Sequence, residues 1–485
     1  MQRAFSRSRG ILHMRQSYFL LGALVLLALL VGCSPTELAV ATPTPAPAAT
    51  DTPVPGSIVQ PTGTSTPRPS DAPTSQALST ATWVPTVSPP SPTATATPDA
   101  QSLATMDAIE AEIEELRGLD RSTPLTRTVM TRQELAAYLE DEFAQDYAPE
   151  EIEADVQVLA AFDFVDQGFD LRQVLLDLYS EEILGLYDDE LDVFYIVSDG
   201  EFNLSDELTV AHEYVHALQD QAFGLDGFLD DDQIDDDQYL ARLSLVEGDA
   251  SLAMVDYLVA NLSSLDAGEL QEFLKEDEGS DEALAAAPPI ISETFAFPYV
   301  YGLDFVTALQ EAGWDAVNAA YLDPPQSTEQ ILHPDKYLSG DEPEFLTLVP
   351  LTTTLGTGWH LVEAETLGEF QTNLYLVQQL DQETADLASQ GWDGDRYALY
   401  TDGAALLLVF ATTWDSPADR EEFVSAYQQY AENKYGQPPT RAAEAELWWE
   451  TPVQSAVLTW GQETALIVLG PDPEIVARAF AVVRP

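Results

Sequence analysis

The chain has 485 residues, of which 83 are acidic and 19 are basic, so its formal net charge is −64 at pH 7. This surplus of negative charge argues against a nucleic-acid-binding protein and against docking on anionic lipid, because both need cationic patches. The single cysteine excludes disulfides within one chain, and the length is sufficient for two or three domains.

The first 33 residues have the pattern of a bacterial export signal. Arginines precede an apolar run over 18–31, and the sequence Leu-Val-Gly-Cys then ends at Cys33. This pattern predicts cleavage rather than a membrane span. The residues before Cys33 also resemble a lipobox, which implies a lipidated Cys33 and a protein held on the extracytoplasmic face of the cell membrane by that anchor only. An ordinary signal peptide, or a short membrane anchor with an incidental cysteine, is the alternative.

Residues 34–100 are dominated by proline, threonine, alanine and serine. So few apolar side chains cannot form a core, and frequent proline favours an extended conformation. We therefore predict a disordered tether between the membrane and the folded part of the protein.

The following residues, 101–185, predict a series of helices. Met106, Ile109 and Ile113 give the first helix an apolar face. Thr131 and Glu134 have the spacing of a capping box at the start of the second. Residues 186–197 then predict two short strands around an acidic turn.

The segment 208–224 contains the sequence His-Glu-Tyr-Val-His from His212 to His216. Residues four apart share one face of a helix, so His212 and His216 can bind one metal ion. Glu213 lies beside them and has the chemistry to accept a proton from a bound water molecule. Ser205 is the predicted N-cap and Gly224 the predicted C-terminal cap of this helix. We predict one zinc ion per chain, with a chance pair of histidines as the alternative.

A third zinc ligand is predicted in the next helix. Glu247 lies beside the apolar stripe of residues 239–262, where a carboxylate is costly unless a cation or hydrogen bonds satisfy it. Asp249 is a candidate to accept the outer N–H of a ligand histidine. The alternative for Glu247 is a partly exposed side chain at a helix kink near Gly248.

These motifs resemble the gluzincin class of metallopeptidases, of which thermolysin is a familiar member. The sequences AHEYVHALQDQ, LVEGDA, FPYVYGLDFV and PPQSTEQILHPDKY resemble a group of largely uncharacterised bacterial gluzincin-like proteins, often lipoproteins. The resemblance spans about residues 180–340. It implies that the strand over 193–197 borders the cleft and pairs with an extended peptide. One departure is that thermolysin has an aspartate four residues after the ligand glutamate, where this chain has Ser251.

Gluzincin chemistry also implies a tyrosine or histidine that stabilises the oxyanion of the transition state. Tyr301, Tyr299 and His333 are the candidates, and the sequence leaves the choice open. A packed aromatic side chain or a loop histidine is the alternative for each.

Two further segments carry no predicted chemistry. The acidic connection over 226–237 lacks the spacing and glycine of an EF-hand, so we favour a solvated loop over a calcium site.

Residues 346–485 mix predicted strands with predicted helices, which suggests a small α+β domain on an antiparallel sheet.

The chain is thus predicted to be an α+β protein. A mainly helical gluzincin-like domain with a short upstream β hairpin (101–345) is followed by the smaller C-terminal domain (346–485). The predicted function is zinc-dependent hydrolysis of peptide bonds in a peptide or protein substrate. A non-catalytic metal-binding surface lipoprotein and a zinc hydrolase of non-peptide amides or esters are the alternatives. The oligomeric state is left open.

Overall fold

The computed structural model of the chain describes residues 17–21, 98–188, 193–198, 202–229, 233–265 and 282–484, with isolated positions between 268 and 273. Cys33 lies outside these residues, as does the predicted tether except for its last three positions. Within the described ranges no helix has the length and apolar character needed to cross a membrane.

The helices are listed here in chain order, first to residue 339 and then to the C-terminus. The first group is α1 (Ala100–Arg117), α2 (Arg132–Asp146), α3 (Pro149–Ala161), α4 (Leu171–Glu182), α5 (Leu204–Phe223), α6 (Leu225–Leu229), α7 (Asp236–Asn261), α8 (Glu282–Ala286), α9 (Pro289–Gln310), α10 (Trp314–Ala320), α11 (Thr328–Leu332) and α12 (Pro334–Ser339). The second group is α13 (Thr352–Leu355), α14 (Gly368–Val377), α15 (Gln382–Ser389), α16 (Pro417–Tyr435) and α17 (Pro473–Val483).

The strands form two sheets. They are β1 (Ser17–Leu21), β2 (Thr126–Met130), β3 (Ile183–Asp188), β4 (Val193–Val197), β5 (His360–Glu363), β6 (Trp392–Thr401), β7 (Leu406–Trp414), β8 (Arg441–Ala443), β9 (Glu446–Glu450), β10 (Ser455–Trp460) and β11 (Thr464–Gly470). The first sheet has the order β1-β3-β4-β2, and the second has the order β5-β6-β7-β11-β10-β9-β8.

The helices predicted before the first sheet are present, with polar side chains at their starts. The Thr131 hydroxyl accepts a bond from the backbone N–H of Glu134, whose carboxylate accepts from the Thr131 N–H, which confirms the capping box. Asp170 caps α4 in the same manner by accepting from the N–H of Gln173. These local bonds satisfy donors that a helix start leaves open.

The first sheet corrects one expectation from the gluzincin resemblance. The strands β3 and β4 form the predicted antiparallel hairpin, but β4 also pairs in parallel with β2 on its other side. An interior strand has no free edge, so the expectation that residues 193–197 pair with an extended peptide is wrong. The strand β3 instead packs on α5, and Gly185 lies against the side chains of Thr209 and Glu213.

The helices α5, α7 and α9 form the centre of the helical part. The N-cap of α5 is Asn203, which accepts from the N–H of Asp206, so the predicted N-cap at Ser205 was two residues late. Gly224 ends α5 in the left-handed conformation, as predicted. The helix α9 begins at Pro289 and includes Pro298 in its interior.

The C-terminal residues form the predicted antiparallel sheet, but its core continues into the helical part. The ring of Phe162, from the end of α3, packs edge-on against Tyr375, Tyr397 and Phe410 at centroid distances of 5.3, 5.3 and 5.5 Å. Phe370 of α14 packs in turn on Phe297 of α9, at 4.2 Å. The residues on the two sides of the predicted boundary at 345 therefore share buried contacts.

Candidate metal centre

Three side chains from α5 and α7 place one ligand atom each around a common point. Nε2 of His212 lies 3.0 Å from Nε2 of His216 and 3.1 Å from Oε2 of Glu247. Nε2 of His216 lies 3.4 Å from the same carboxylate oxygen. All three side chains are buried. The cluster can therefore hold a metal ion, as the sequence predicted for these residues.

The spacing of these atoms fits a tetrahedral ion. Bonds of about 2.0–2.1 Å in tetrahedral geometry place neighbouring ligand atoms about 3.3 Å apart. The three measured distances, 3.0, 3.1 and 3.4 Å, lie around that value. Two imidazoles and one carboxylate also leave one tetrahedral position for another ligand.

The three ligands interact electrostatically. Burial lowers the pKa of His212 to about 4. Burial also acts to lower the pKa of His216, but the Glu247 carboxylate outweighs it and raises this pKa to about 9. The pKa of Glu247 is lowered, since the two histidines outweigh the effect of its burial. The raised pKa of His216 means that a bound cation would compete with a proton for its Nε2.

Gln219 orients His216, a role that the sequence did not suggest. Its Oε1 lies 2.8 Å from Nδ1 of His216, so an Nδ1–H donates to it and leaves Nε2 free for a metal. Gln219 donates through Nε2 to the carbonyl of Val246 and to Oδ2 of Asp249, at 2.9 and 3.1 Å. Gln219 lies one helical turn after His216, and this spacing is the signal that could have identified it.

Asp249 does not contact a histidine, so its predicted role is corrected. It receives two hydrogen bonds from Arg117, at 2.5 and 2.9 Å, and one from the Tyr321 hydroxyl at 2.8 Å. Arg117 is itself fully buried and lies over the ring of Trp314 at 4.4 Å. Asp249 therefore acts through Gln219, and the buried guanidinium compensates its charge.

Glu213 is buried beside the ligands. A Cβ atom added to Gly185 of β3 would lie 3.1 Å from its Cγ, which places the side chain between α5 and the first sheet. Its negative charge contributes to the raised pKa of His216 and of Tyr299. Glu213 therefore lies between α5 and β3 and does not belong to the group of three ligands.

The structure places only one of the three oxyanion candidates beside the ligands. The rings of Tyr299 and His212 have centroids 6.3 Å apart, and burial followed by Glu247 and Glu213 raises the pKa of Tyr299 well above its usual value. Tyr301 instead contacts Phe297 and Phe370, at 4.9 and 6.3 Å.

His333 is the third candidate, and it has a different partner. Its Nε2 lies 3.0 Å from Oε1 of Glu369, on α14. Neither Tyr301 nor His333 forms a hydrogen bond or ring contact with the metal-binding side chains. The predicted catalytic use of these two residues therefore has no support in the contacts that they make.

The acidic segment over 226–237 lies only partly within the described residues. Asp235 caps α7, and Asp237 accepts bonds from the backbone N–H and the hydroxyl of Thr328. Among the residues that the structure describes, the histidine–glutamate cluster is the one group of three metal-binding side chains. The expectation of a solvated loop is wrong for Asp235 and Asp237, which are buried, and the expectation that the segment is not a calcium site stays a prediction.

Comparisons with known proteins give one match. Residues 357–479 match the family described as Domain of unknown function (DUF8575). These residues contain the seven-stranded sheet and lie after the metal cluster. No curated protein and no solved structure matches the chain.

Proposed function

We propose that the protein is a zinc metallopeptidase of the gluzincin type. The observation that carries the proposal is the convergence of His212, His216 and Glu247 within 3.0–3.4 Å, with Glu213 buried beside them. Zinc is the metal that fits best, because two imidazoles, one carboxylate and an open tetrahedral position are the ligand set of thermolysin-type catalytic zinc.

A bound zinc ion would supply a Lewis acid that polarises a carbonyl group and lowers the pKa of water. The protein's own groups supply the proton transfers. Hydrolysis adds a water oxygen to the carbonyl carbon and a proton to the leaving nitrogen. Glu213 accepts the proton from water and delivers it to the nitrogen as the bond breaks.

Tyr299 is the proposed donor to the oxyanion. Its raised pKa keeps the hydroxyl protonated at neutral pH, and a protonated hydroxyl can donate a hydrogen bond. This assignment replaces Tyr301 and His333, because Tyr299 is the candidate whose ring lies near His212.

The test combines metal analysis with digestion of a peptide library by the full chain, with and without chelator. We expect one zinc ion per chain and cleavage that the chelator abolishes. Glu213→Gln should keep the metal and lose about a hundredfold or more in rate, and Tyr299→Phe should lose about as much. His216→Ala should lose both the metal and the activity. Glu207→Gln, which removes a charge from the same helix, is the control and should be unchanged.

Three results would contradict the proposal in different ways. Full activity in Glu213→Gln would reject the proposed base. Bound metal without any cleavage would favour a non-catalytic metal-binding lipoprotein. Turnover confined to small esters or non-peptide amides would favour a hydrolase of another substrate class.

The extracytoplasmic location is part of the same proposal and depends on the signal pattern that ends at Cys33. Mass spectrometry of the mature N-terminus tests it. A diacylglyceryl group on Cys33, and release of the Cys33→Ser variant from the membrane fraction, are the expected results. An unmodified Cys33 in a membrane-bound protein would reject the lipid anchor.

A further inference from the structure

A second site lies on the side of α9 that faces away from the metal cluster. Glu293 and Tyr301 are eight residues apart, so they share one face of this helix, and both line a groove of about 740 Å³. Tyr299, which approaches His212, precedes Tyr301 by two residues and points about 200° away around the axis. The groove is completed by α14, α15 and His333.

A buried carboxylate in the lining of the groove has an unused hydrogen-bond acceptor. Glu369 is 4% exposed, and its Oε1 accepts a bond from His333. Its Oε2 is buried and has no hydrogen-bond partner among the described residues. Burial of a carboxylate oxygen without a hydrogen-bond donor costs free energy. This oxygen therefore points to a donor that a ligand supplies.

Negative charge exceeds positive charge in the groove. Glu293, Glu369 and Asp386 line it, whereas His333 is the one basic side chain in its lining. Lys336 also acts on Glu369, but its ammonium group is already bonded to two other carboxylates, each at 2.5 Å. The groove therefore attracts a cation.

The walls indicate which kind of cation fits. Tyr301 and Leu387 are large apolar side chains that are 38% and 54% exposed, and Phe370 lies behind Tyr301. No three metal-binding side chains of the described residues converge here, which disfavours a metal ion. An apolar stem with a charged end matches these walls better.

We propose that this groove binds the side chain of an arginine or lysine residue in a basic peptide. The guanidinium or ammonium group donates to Oε2 of Glu369, and the methylene stem packs on Tyr301. The site does not depend on the proposed peptidase activity, because α9 separates it from the metal cluster.

Calorimetric titration of the full chain with two blocked peptides tests the proposal. Acetyl-Gly-Arg-Gly-amide carries the charge, and the same peptide with citrulline is its neutral counterpart. A chelator is present throughout, which prevents metal-dependent cleavage. We expect saturable binding of the arginine peptide, roughly tenfold weaker binding of the citrulline peptide, and competition by the corresponding lysine peptide.

Matched variants locate the binding. Glu369→Gln should weaken the arginine peptide roughly tenfold, whereas Glu383→Gln, an equal charge change at an exposed position of α15, should leave the affinity unchanged. Tyr301→Ala, at a position that is 38% exposed, should also weaken binding. His216→Ala should bind like the parent protein.

Four results would overturn the proposal. They are equal affinity for the arginine and citrulline peptides, no binding of either peptide, equal losses in Glu369→Gln and Glu383→Gln, and loss of binding in His216→Ala. If Glu369→Gln does not fold, an unchanged affinity of Tyr301→Ala for the arginine peptide would also overturn the proposal.

Discussion

Replacement of Gly248 by alanine tests how the third ligand is positioned. A Cβ atom at this position of α7 would lie 2.1 Å from the carbonyl oxygen of Gly302 in α9, and a Cβ at Gly302 would lie 2.2 Å from the carbonyl oxygen of Ser244. The two backbones are thus in direct contact. Because interiors are close-packed, Gly248→Ala must separate the helices by about 1 Å.

The expected loss of stability follows from two opposing effects. Alanine in a helix gains about 1 kcal/mol over glycine, and overpacking against a rigid backbone costs about 1–3 kcal/mol. We therefore expect a net loss of up to about 2 kcal/mol in the free energy of unfolding. Glu247 precedes Gly248 directly, so the shift also moves a metal ligand by far more than the roughly 0.2 Å that metal–ligand distances tolerate.

Chemical denaturation of the metal-free protein and zinc competition with a chromophoric chelator measure both effects. Gly227→Ala is the matched control, because no atom lies within 4 Å of its added Cβ. This control should be neutral or slightly stabilising, with unchanged zinc affinity. Gly248→Ala should lose at least about tenfold in zinc affinity. A Gly248→Ala variant with the stability and zinc affinity of the parent would refute the proposed backbone contact.

Three further predictions concern the surroundings of the ligands. Gln219→Leu should weaken zinc binding about 10–100-fold without a large change in the free energy of unfolding, and zinc competition with the chromophoric chelator measures the affinity. An unchanged zinc affinity would contradict the proposal that Gln219 orients His216. Zinc affinity should rise about tenfold per pH unit between about pH 5 and 8, because the pKa of His216 near 9 means that zinc displaces one proton from this histidine in that range. Calorimetric titrations in buffers of different ionisation enthalpy should show that one proton is released for each zinc ion bound. Arg117→Met should lower the free energy of unfolding by about 3–5 kcal/mol, because the buried charge of Asp249 loses its cationic partner. Chemical denaturation of the double variant Arg117→Met, Asp249→Asn should show that part of this loss is recovered. An Arg117→Met variant as stable as the parent would reject the ion pair between Arg117 and Asp249 as a source of stability.

The sequence was sufficient to predict the cluster of His212, His216 and Glu247, because each of these positions depends on a local pattern. His212 and His216 are one turn apart on a helix that Gly224 ends, and Glu247 interrupts an apolar stripe. A buried carboxylate there had to have a cationic or hydrogen-bonding partner. Helical periodicity and the cost of burial are both properties that a single segment reveals.

Other features depend on contacts between segments that are distant in the chain, and these contacts could not be predicted from the sequence. The strand β4 lies inside its sheet because β2, more than 60 residues earlier in the chain, pairs with it. Asp249 is held by Arg117, which comes from the first helix of the folded part. The helix α9 continues through Pro298 although a proline removes one backbone hydrogen bond inside a helix, so its continuity depends on packing against other segments.

The glycine contact explains why Tyr299, and not Tyr301, approaches the metal cluster. Gly302 must face α7, because its backbone touches that of Ser244. Tyr299 lies three residues before Gly302, so the two residues share a face of α9, whereas Tyr301 is rotated by about 100° from Gly302. The contact at Gly248 fixes the separation of α7 and α9 directly beside Glu247. The glycines of the LVEGDA and FPYVYG sequences thus form the two halves of one contact, and this contact determines which tyrosine faces the histidines.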